Sequence, residues 1–600
     1  MTLTRHRNFK ESSTMMKRFI FDIETNGLLD TMDKIHCVVL VDIDTGIAHR
    51  YPPKKVPEAI EILRLAEYIC GHNVIDFDIP AIQIVYPDFI PLGKVEDTIV
   101  MSRLIRADVL SEDVTNPLLP KRLWGSQSLK AWGIRLGCHK EEFETDWKTY
   151  SKEMLEYCVQ DTQVNLVLYL ELADSGFSQK SIDLEHELAD VCRRIGNNGW
   201  TFDEKAAGKL YAKLSILRGD LEDELVELFP PWTIETEFIP KVNNKSRGYV
   251  KGEPFTKVKE VVFNPNSRIH IHKCLVDKYA WKPKHYSAQG TATVDETILS
   301  GLHYPEAKKL AEYFMIQKRI GQLAEGKAAW LKLVSSDGKL RHRIISGGTI
   351  SGRASHRSPN LGQVPRASAP FGKECRDLFK APRGWLVCGS DLAAIELRML
   401  ASYLEPMDGG NYAKQILEGD IHSFNQKSFG CETRDQAKKL MFSMIYGGGD
   451  KLIGEVVGGS AKDGKKLKQN FDQSVPAFAS LKRKLTAASQ RGYLVGLDGR
   501  HLFLKSAHRS LSQLLQSGAA VVCKKWLALV NAEIEDTLEG QSYVMGWIHD
   551  EIQSACNNKE TAEYVGNLSR TMAKKAGEEL GVRIPIEAEF QVAQTWAGSH

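Results

Sequence analysis

Two patterns of hydrophobic and polar positions recur along the chain. Short apolar runs that contain acidic residues predict strands or hairpins, as in RFIFDIETNGLL (18–29) and YVMGWIHDEIQSA (543–555). Longer segments with apolar residues three or four positions apart predict helices, as in residues 150–172, 203–229 and 305–334. A carboxylate within an apolar strand is unfavourable unless a partner offsets its desolvation, and a bound cation is the obvious candidate.

The first set of carboxylates lies near the amino terminus. Asp22 and Glu24 are two residues apart in a predicted strand, so they share one face. Asp78 follows in the apolar stretch GHNVIDFDIPAI, and Tyr157 and Asp161 are spaced i, i+4 on a predicted helix. Each acid alone is typical of a helix cap or a surface position, but the ordered combination is far more specific.

The order D-x-E, N-x-x-x-F-D, Y-x-x-x-D resembles the tyrosine-bearing subclass of the DEDD 3′→5′ proofreading exonucleases. The resemblance covers about residues 17–172 and implies an RNase H-like α/β fold. It also implies that Asp22, Glu24, Asp78 and Asp161 hold two Mg²⁺ ions while Tyr157 orients the attacking water. Two such ions generate hydroxide and stabilise both apical oxygens of the phosphorane.

A helical connector follows the first set. Leucines at spacings of three and four form one stripe over residues 210–228, and residues 305–334 form the predicted partner helix. The two are expected to pack as a helical hairpin. Between them, residues 239–260 contain six basic and two acidic residues, which fits either a solvated loop or a patch that contacts phosphates.

A second set of carboxylates lies in the carboxy-terminal half. WLVCGSDLAAIELRMLASYL (385–404) begins as a strand that reaches Asp391 and continues as a helix that carries Glu396. Asp550 lies in the strand or hairpin of residues 543–555. We therefore expect two strand-borne aspartates from distant parts of the chain to share cations.

One predicted helix presents cations and aromatic rings in order. Thr433 begins a T-x-x-Q capping box, and glycines at 447–449 end the segment. Arg434, Lys438, Phe442 and Tyr446 recur every fourth residue, so they drift only about 40° per step around the helix. Two cations followed by two aromatic rings suit a nucleoside triphosphate.

Together, DLAAIELR, R-x-x-x-K-x-x-x-F followed by YG, and HDE resemble motifs A, B and C of family A DNA polymerases. The resemblance runs from about residue 17 to the carboxy terminus and is greatest to replicative enzymes of short-tailed (podovirus-type) bacteriophages. Further matching stretches are residues 315–326, 352–365, 419–422, 496–500, 514–520 and 595–600.

The resemblance implies a role for each matching residue. Asp391 and Asp550 would bind two Mg²⁺ ions with the Leu392 carbonyl assisting, and Glu551 would be accessory. Mn²⁺ can substitute at both sites. Lys438 would also donate a proton to pyrophosphate, and Glu396 with Phe442 would exclude a 2′-hydroxyl. The implied dNTP-binding residues are Leu392, Glu396, His422, Arg434, Lys438, Phe442 and Tyr446, with Tyr446 beside the templating base. The implied DNA-binding residues are Arg353, Gln363, Gln516 and His549.

Three positions depart from the family pattern. Ala393 replaces a serine, Ser443 replaces a glycine and Ser512 replaces an asparagine. None is a metal ligand, so fidelity and minor-groove contacts are the properties in question. Phe442 in place of tyrosine implies discrimination against dideoxynucleotides.

The implied fold is α/β and α+β multidomain: an RNase H-like exonuclease domain followed by a right-hand polymerase domain with palm, fingers and thumb. The predicted segments are a disordered leader at 1–16, exonuclease at 17–185, thumb and connecting helices at 186–340, palm at 341–430, fingers at 431–505 and palm again at 506–600.

Composition bears on the partners and the cellular compartment of the protein. The formal net charge is only +3, so bulk charge does not indicate a polyanion partner. The eleven cysteines are scattered, which favours reduced thiols in a cytoplasmic compartment. The resemblance to phage enzymes implies that this is the cytoplasm of a bacterial host. No apolar run is long enough for a membrane span, and we expect a monomer.

The implied partners are primer–template DNA and dNTPs, with a replicative helicase–primase as a further candidate. The segment 228–300 is shorter than a thioredoxin-recruiting insertion suggests, so no such clamp is expected. Alternatives are a bacterial or plasmid-borne repair-type family A polymerase, a nuclease that only grips DNA, a non-catalytic scaffold and a single-subunit RNA polymerase. The first fits less well because the segment before Asp22 is too short for a 5′-nuclease domain. The nuclease is opposed by the presence of Asp391, Asp550, Arg434 and Lys438, and the scaffold is opposed by both complete acid sets. The attached exonuclease, with Glu396 opposite Phe442, disfavours an RNA polymerase.

Overall fold

A computed structural model describes residues 17–138, 146–287 and 289–599. The predicted leader at 1–16 and the terminal His600 lie outside these residues. The chain divides into two compact units. The first unit contains residues 1–200, 342–363 and 381–600, and the second contains residues 201–341 and 364–380.

Strands and helices are numbered along the described chain. The strands are β1 (Arg18–Thr25), β2 (Ile35–Asp42), β3 (Ala48–Tyr51), β4 (Tyr68–Gly71), β5 (Lys94–Asp97), β6 (Trp200–Phe202), β7 (Trp232–Phe238), β8 (Phe255–Val261), β9 (Lys339–Leu340), β10 (Arg343–Ile345), β11 (Ser355–Arg357), β12 (Phe379–Lys380), β13 (Leu386–Leu392), β14 (Tyr493–Val495), β15 (His501–Phe503), β16 (Ser542–Ile548), β17 (Glu551–Cys556) and β18 (Ala588–Ala593). The α-helices are α1 (Val56–Leu65), α2 (Asp78–Val85), α3 (Thr98–Ile105), α4 (Val109–Asp113), α5 (Leu129–Arg135), α6 (Lys152–Ala173), α7 (Gln179–Asn198), α8 (Glu204–Leu228), α9 (Arg268–Tyr279), α10 (Glu296–Ser300), α11 (Pro305–Ile320), α12 (Trp330–Leu333), α13 (Gly372–Arg376), α14 (Ile395–Asp408), α15 (Asn411–Leu417), α16 (Ile421–Phe429), α17 (Arg434–Ile445), α18 (Asp450–Val456), α19 (Ala461–Ser474), α20 (Pro476–Ser489), α21 (Ser510–Thr537) and α22 (Lys559–Glu579).

A five-stranded mixed sheet forms the amino-terminal part of the first unit. Its order is β3-β2-β1-β4-β5; β2 pairs antiparallel with β1, whereas β4 runs parallel to β1 and β5. Successive residues of β1 face opposite sides, so Ile20 joins one core with α6 and Phe21 joins the other with α1. Helices cover both faces of this sheet, which agrees with the expected RNase H-like α/β fold.

A four-stranded antiparallel sheet organises the carboxy-terminal part of the same unit. Its order is β16-β17-β13-β18, and β13 and β17 are its central strands. One large core joins this sheet to α7, α14, α21 and α22. The sheet therefore holds β13 and the β16–β17 hairpin, which carry the second set of carboxylates.

Several predicted helix ends are confirmed. The helix α17 begins after Thr433, whose hydroxyl accepts from the Gln436 N–H, and the Gln436 side chain completes the capping box. Gly447 follows the end of this helix with φ +78°. The strand over β13 and the helix over α14 are also confirmed.

The second unit confirms one prediction and corrects two. Helices α8 and α11 pack together as expected, through contacts such as Tyr313 Oη donating to Glu222 at 2.6 Å. The helix predicted over 305–334 is wrong in its second half: α11 ends at Ile320, a π-helical turn covers Gly321–Glu325, and α12 is separate. The loop predicted at 239–260 is wrong at its end, because residues 255–260 belong to β8 and pair with β7, whereas residues 239–254 connect the two strands.

The predicted boundary between exonuclease and thumb falls inside a helix. Residues 185 and 186 both belong to α7, which lies in the first unit, whereas the second unit begins at residue 201. The hydrophobic stripe of α7 contributes to the core around the carboxy-terminal sheet, which the local sequence pattern does not reveal. No helix among the described residues is long and apolar enough to cross a membrane.

Candidate active sites

The amino-terminal sheet gathers the first set of acids. Asp22 and Glu24 lie on one face of β1, and their carboxylate oxygens lie within 4.8 Å of each other and of the Cys158 sulfur. Asp78 begins α2, and Tyr157 and Asp161 lie on α6, which packs on β1. The Tyr157 ring packs edge-to-face against the Trp147 ring, with centroids 6.1 Å apart.

These acids are held in an unfavourable electrostatic environment. Burial, followed by the Asp22 charge, raises the pKa of Glu24 to about 10. Burial and Asp22 also raise the pKa of Asp78 well above its ordinary value. The Asp78 Oδ1 atom is buried without a hydrogen-bond partner in the described part of the chain. Carboxylate oxygens arranged in this way fit a divalent cation such as Mg²⁺.

The carboxy-terminal sheet brings the second set together. Asp391 lies on β13 directly opposite Glu551 on β17, and the Leu392 N–H donates to the Asp550 main-chain oxygen at 3.1 Å. Two aspartates 159 positions apart thus meet at one end of the sheet. The prediction that both are strand-borne is wrong for Asp550, which lies in the turn between β16 and β17.

This turn has an unusual backbone. His549 has φ +59°, a left-handed conformation that non-glycine residues rarely adopt. Burial raises the pKa of Asp550, so a cation beside it would offset a real desolvation penalty. Because the carboxylates of Asp391 and Asp550 are both only half-buried, an ion at this edge would stay accessible to substrate.

Glu551 differs from Asp550 in its surroundings. Its carboxylate is buried and accepts hydrogen bonds from the Trp596 indole at 2.5 Å and from the Gln553 amide. Asp550 lies in the turn, whereas Glu551 begins β17 and points into the buried side of the sheet. This arrangement agrees with an accessory role for Glu551.

The cationic face of α17 lies beside the start of α16. The Arg434 guanidinium contacts Asp420, the N-cap of α16, at 2.8 Å, and Lys438 is exposed on the same face. Burial, followed by the charges of Arg434 and Lys438, lowers the pKa of His422. His422 is therefore a neutral donor near two cations, a combination that suits an anionic phosphate chain.

A three-residue cluster surrounds Glu396. Its carboxylate accepts hydrogen bonds from the Tyr446 hydroxyl at 2.7 Å and from Arg353 at 2.5 Å. The Tyr446 ring in turn stacks on Phe442, with centroids 6.4 Å apart. Burial and the bond to Glu396 raise the pKa of Tyr446 to about 12, so its hydroxyl remains a donor. Tyr446 therefore contacts both residues: its hydroxyl binds Glu396 and its ring stacks on Phe442.

The predicted DNA-binding residues occupy different settings. Arg353 is engaged with Glu396, and the Gln516 amide donates to Ser512 Oγ at 3.1 Å, one of the positions that departs from the family pattern. Gln363 and His549 are exposed. All four lie in the first unit.

Sequence reasoning missed three residues at these sites. Asp420 caps α16 and fixes Arg434, and its position in GDIH, before a helix, was an available signal. Trp596, which contacts Glu551, and Cys158, which contacts Asp22, carry no local signal because their partners lie 45 and 136 positions away.

Comparisons with known proteins identify the family of the chain. The profile of DNA polymerase family A matches residues 244–598. The chain is 33% identical over 703 residues to the DNA-directed DNA polymerase of Enterobacteria phage T3, covering 97% of this chain and 100% of that relative. It is 32% identical over 704 residues to that of Escherichia phage T7, with the same coverage.

A solved structure shows the same architecture. The fold resembles the POL domain of Pol1 from M. smegmatis in complex with DNA primer–template and dNTP, with a TM-score of 0.72, 15% identity and 96% of each chain covered. This likeness agrees with the mixed α/β multidomain fold expected from the sequence. On the match of its carboxy-terminal half and its similarity to the phage enzymes over nearly its whole length, the chain belongs to DNA polymerase family A.

Proposed function

We propose that this protein is a phage replicative DNA polymerase that extends a primer 3′ end and proofreads it at a separate 3′→5′ exonuclease site. The observation that carries the proposal is the presence of two acidic clusters on two different sheets of one unit. Within the described residues, a helix that presents cations and aromatic rings accompanies the second cluster. The relatives named above are DNA-directed DNA polymerases.

Each side chain of the polymerase site has a stated task in this proposal. Asp391, Asp550 and the Leu392 carbonyl would hold a pair of Mg²⁺ ions, which lower the pKa of the primer 3′-hydroxyl and neutralise the triphosphate. Arg434 binds the phosphates in the orientation set by Asp420. Lys438 donates a proton to the departing pyrophosphate.

Sugar selection would depend on the cluster around Glu396. The Tyr446 hydroxyl and Arg353 both bind its carboxylate and hold Glu396 in place, and Phe442 is positioned by stacking on the same Tyr446 ring. A 2′-hydroxyl on the incoming nucleotide would meet this fixed pair. The site therefore favours deoxynucleotides over ribonucleotides, which argues against an RNA polymerase.

In the exonuclease site, Asp22, Glu24, Asp78 and Asp161 would hold the second pair of Mg²⁺ ions. Mn²⁺ would serve at either site, because both metals prefer carboxylate oxygens. Tyr157, fixed by its edge-on contact with Trp147, orients the attacking water. The raised pKa values of Glu24 and Asp78 support cation binding, because a cation would replace the protons these groups otherwise hold.

The proposed partners are primer–template DNA, dNTPs and a replicative helicase–primase in the bacterial cytoplasm, with the enzyme itself monomeric. We propose no thioredoxin-type clamp. The alignment to the phage T3 enzyme covers that enzyme completely and runs over 703 residues, so the relative contains segments that this chain of 600 residues lacks. Primer–template affinity measured with and without host thioredoxin tests this; tighter binding with thioredoxin contradicts it.

Primer extension in Mg²⁺ tests the main proposal. Asp391→Ala should abolish extension and retain 3′ trimming, and Asp22→Ala should do the reverse. The exposed acids Glu418 and Asp88 provide matched controls, whose alanine variants should keep both activities. Extension with NTPs as efficient as with dNTPs would indicate an RNA polymerase. Trimming without extension in the unaltered enzyme would indicate a nuclease, and absence of both would indicate a scaffold.

A further inference from the structure

A buried thiol lies inside the amino-terminal acidic cluster. The Cys158 sulfur is 3.4 Å from Asp22 Oδ2 and 3.5 Å from the Asp22 main-chain oxygen. Cys158 is fully buried on α6, one residue after Tyr157, and its sulfur lies within 4.8 Å of both the Asp22 and Glu24 carboxylates. None of the exonuclease steps proposed above uses this thiol.

The spacing of the sulfur and the carboxylate oxygen fits tetrahedral coordination. Zinc–sulfur bonds of about 2.3 Å and zinc–oxygen bonds of about 2.1 Å place tetrahedral ligand atoms about 3.6 Å apart. The observed separation of 3.4 Å between Cys158 Sγ and Asp22 Oδ2 is close to this value. Asp78, whose buried Oδ1 has no hydrogen-bond partner in the described residues, interacts electrostatically with Asp22 but lies outside the group of three ligand atoms.

We propose that Cys158, Asp22 and Glu24 form a site for a thiophilic divalent cation such as Zn²⁺ or Cd²⁺. Binding forms bonds to the ion from Cys158 Sγ and from a Glu24 carboxylate oxygen and breaks the S–H bond and the Glu24 O–H bond, and both protons leave to water. The carboxylate oxygens donate lone pairs, and no oxidation state changes. Mg²⁺ takes oxygen ligands in octahedral geometry, so the thiol strengthens binding of soft ions without strengthening that of Mg²⁺.

Binding of a thiophilic ion at this site should affect 3′ trimming and leave primer extension unaffected. A thiophilic ion would occupy Asp22 and Glu24, which the proposed exonuclease needs for Mg²⁺. The carboxy-terminal pair, Asp391 and Asp550, has no cysteine in an equivalent ligand group among the described residues. Micromolar thiophilic metal should therefore inhibit trimming at concentrations that leave extension intact. The expected inhibition of trimming rests on the proposed function, whereas the proposed metal binding does not.

Cadmium titration of the full-length protein, stripped of metal with a chelator, tests the site directly. Coordination by a thiolate produces an ultraviolet sulfur-to-cadmium charge-transfer band, which reports binding without any activity. Cys158→Ala should remove the tightest-binding component of this band. The affinity for Cd²⁺ that remains should be lower by an order of magnitude or more. Excess Mg²⁺ should shift the same component to higher Cd²⁺ concentration in the unaltered protein, because the carboxylates are shared.

Two variants keep the test decisive. Cys192, which is equally buried on a helix of the same unit, provides the matched control, and Cys192→Ala should keep the tight component. Cys37 lies opposite Glu24 on β2 and neighbours Cys158. If Cys158→Ala folds, as judged by circular dichroism and primer extension, yet keeps the tight component, the proposal is overturned. The same holds if Cys37→Ala alone removes that component. Unchanged metal binding with no trimming in Mg²⁺ would refute the exonuclease instead.

Discussion

A buried quartet of charges joins α7 to α21 and to the segment beside β15 in the first unit. Glu185 on α7 contacts Lys524 on α21 and Arg500 beside β15, the latter at 2.9 Å, and Arg500 contacts Asp498 at 2.7 Å. All four side chains are at most 3% exposed, and the quartet is neutral overall. The perturbation of interest is Glu185→Gln, which keeps the shape of the side chain and removes one charge.

The structure indicates a large effect. Glu185→Gln leaves a net positive charge among four buried groups, and breaking a buried pair in this way costs about 3–5 kcal/mol. Lys524→Met should cost less, because Glu185 then keeps Arg500 as its counter-charge. The double variant restores neutrality, so its loss should be smaller than the sum of the single losses by about 1–3 kcal/mol.

Urea midpoints measured by pulse proteolysis give the three values of a double-mutant cycle. The exposed Glu187 lies on the same helix, and Glu187→Gln should leave the midpoint unchanged. The dependence of the urea midpoint on pH in the acid range provides a second measurement. Burial would raise the pKa of Glu185, but Lys524 and Arg500 outweigh it and lower the pKa to about 2. The stabilisation is therefore present above about pH 4.5 and lost as the pH falls towards 2, a loss that Glu185→Gln should not show.

Strict additivity of the two single variants would refute the reasoning. So would a Glu185→Gln loss below about 1 kcal/mol, because it would mean that water or a side-chain rearrangement readily compensates the unpaired cations.

Three further predictions concern the two active sites. Tyr446→Phe removes a hydrogen bond to the charged Glu396, which typically contributes about 1.5 kcal/mol or more, so preference for dNTPs over NTPs should fall by about tenfold in single-nucleotide kcat/KM; an unchanged ratio would show that Arg353 alone holds Glu396. Phe442→Tyr should relax discrimination against dideoxynucleotides, and unchanged chain-terminator incorporation would contradict its assignment. In EDTA, folded protein holds a proton on Glu24 that unfolded chain releases, so stability relative to Glu24→Gln should fall between about pH 4.5 and pH 10. Mg²⁺ should abolish that trend in thermal unfolding scans, and its persistence in Mg²⁺ would mean that no ion binds near Glu24.

Where a feature depends on neighbours in sequence, the predictions agree with the structure. Asp22 and Glu24 share a face because side chains alternate along any strand. The helix after Thr433 begins where its capping box requires, because hydroxyl and amide groups three residues apart satisfy each other. Likewise, the leucine spacing of residues 210–228 follows from helical periodicity, and most of these leucines are buried.

The same local patterns failed where tertiary context decided the outcome. Residues 255–260 were predicted to be loop because they are basic and polar, yet they belong to β8. Pairing with β7 provides hydrogen-bond partners for the main-chain groups of this exposed strand. The helix predicted over 305–334 ends at Ile320, where glycines at 321 and 326 flank a π-helical turn. Neither outcome follows from apolar spacing, because strand pairing and helix ends also depend on which main-chain hydrogen bonds neighbouring segments provide.

The amino-acid sequence by itself determined the family, the two sets of carboxylates and the helix that carries Arg434 and Lys438, because motif spacing and backbone periodicity act over a few residues. Only the tertiary structure decided that Asp550 lies in a turn against Leu392, that Tyr446 and Arg353 hold Glu396, and that Cys158 contacts Asp22. Such contacts join residues tens to hundreds of positions apart. They depend on strand register and on the packing of whole elements, which no short stretch of sequence encodes.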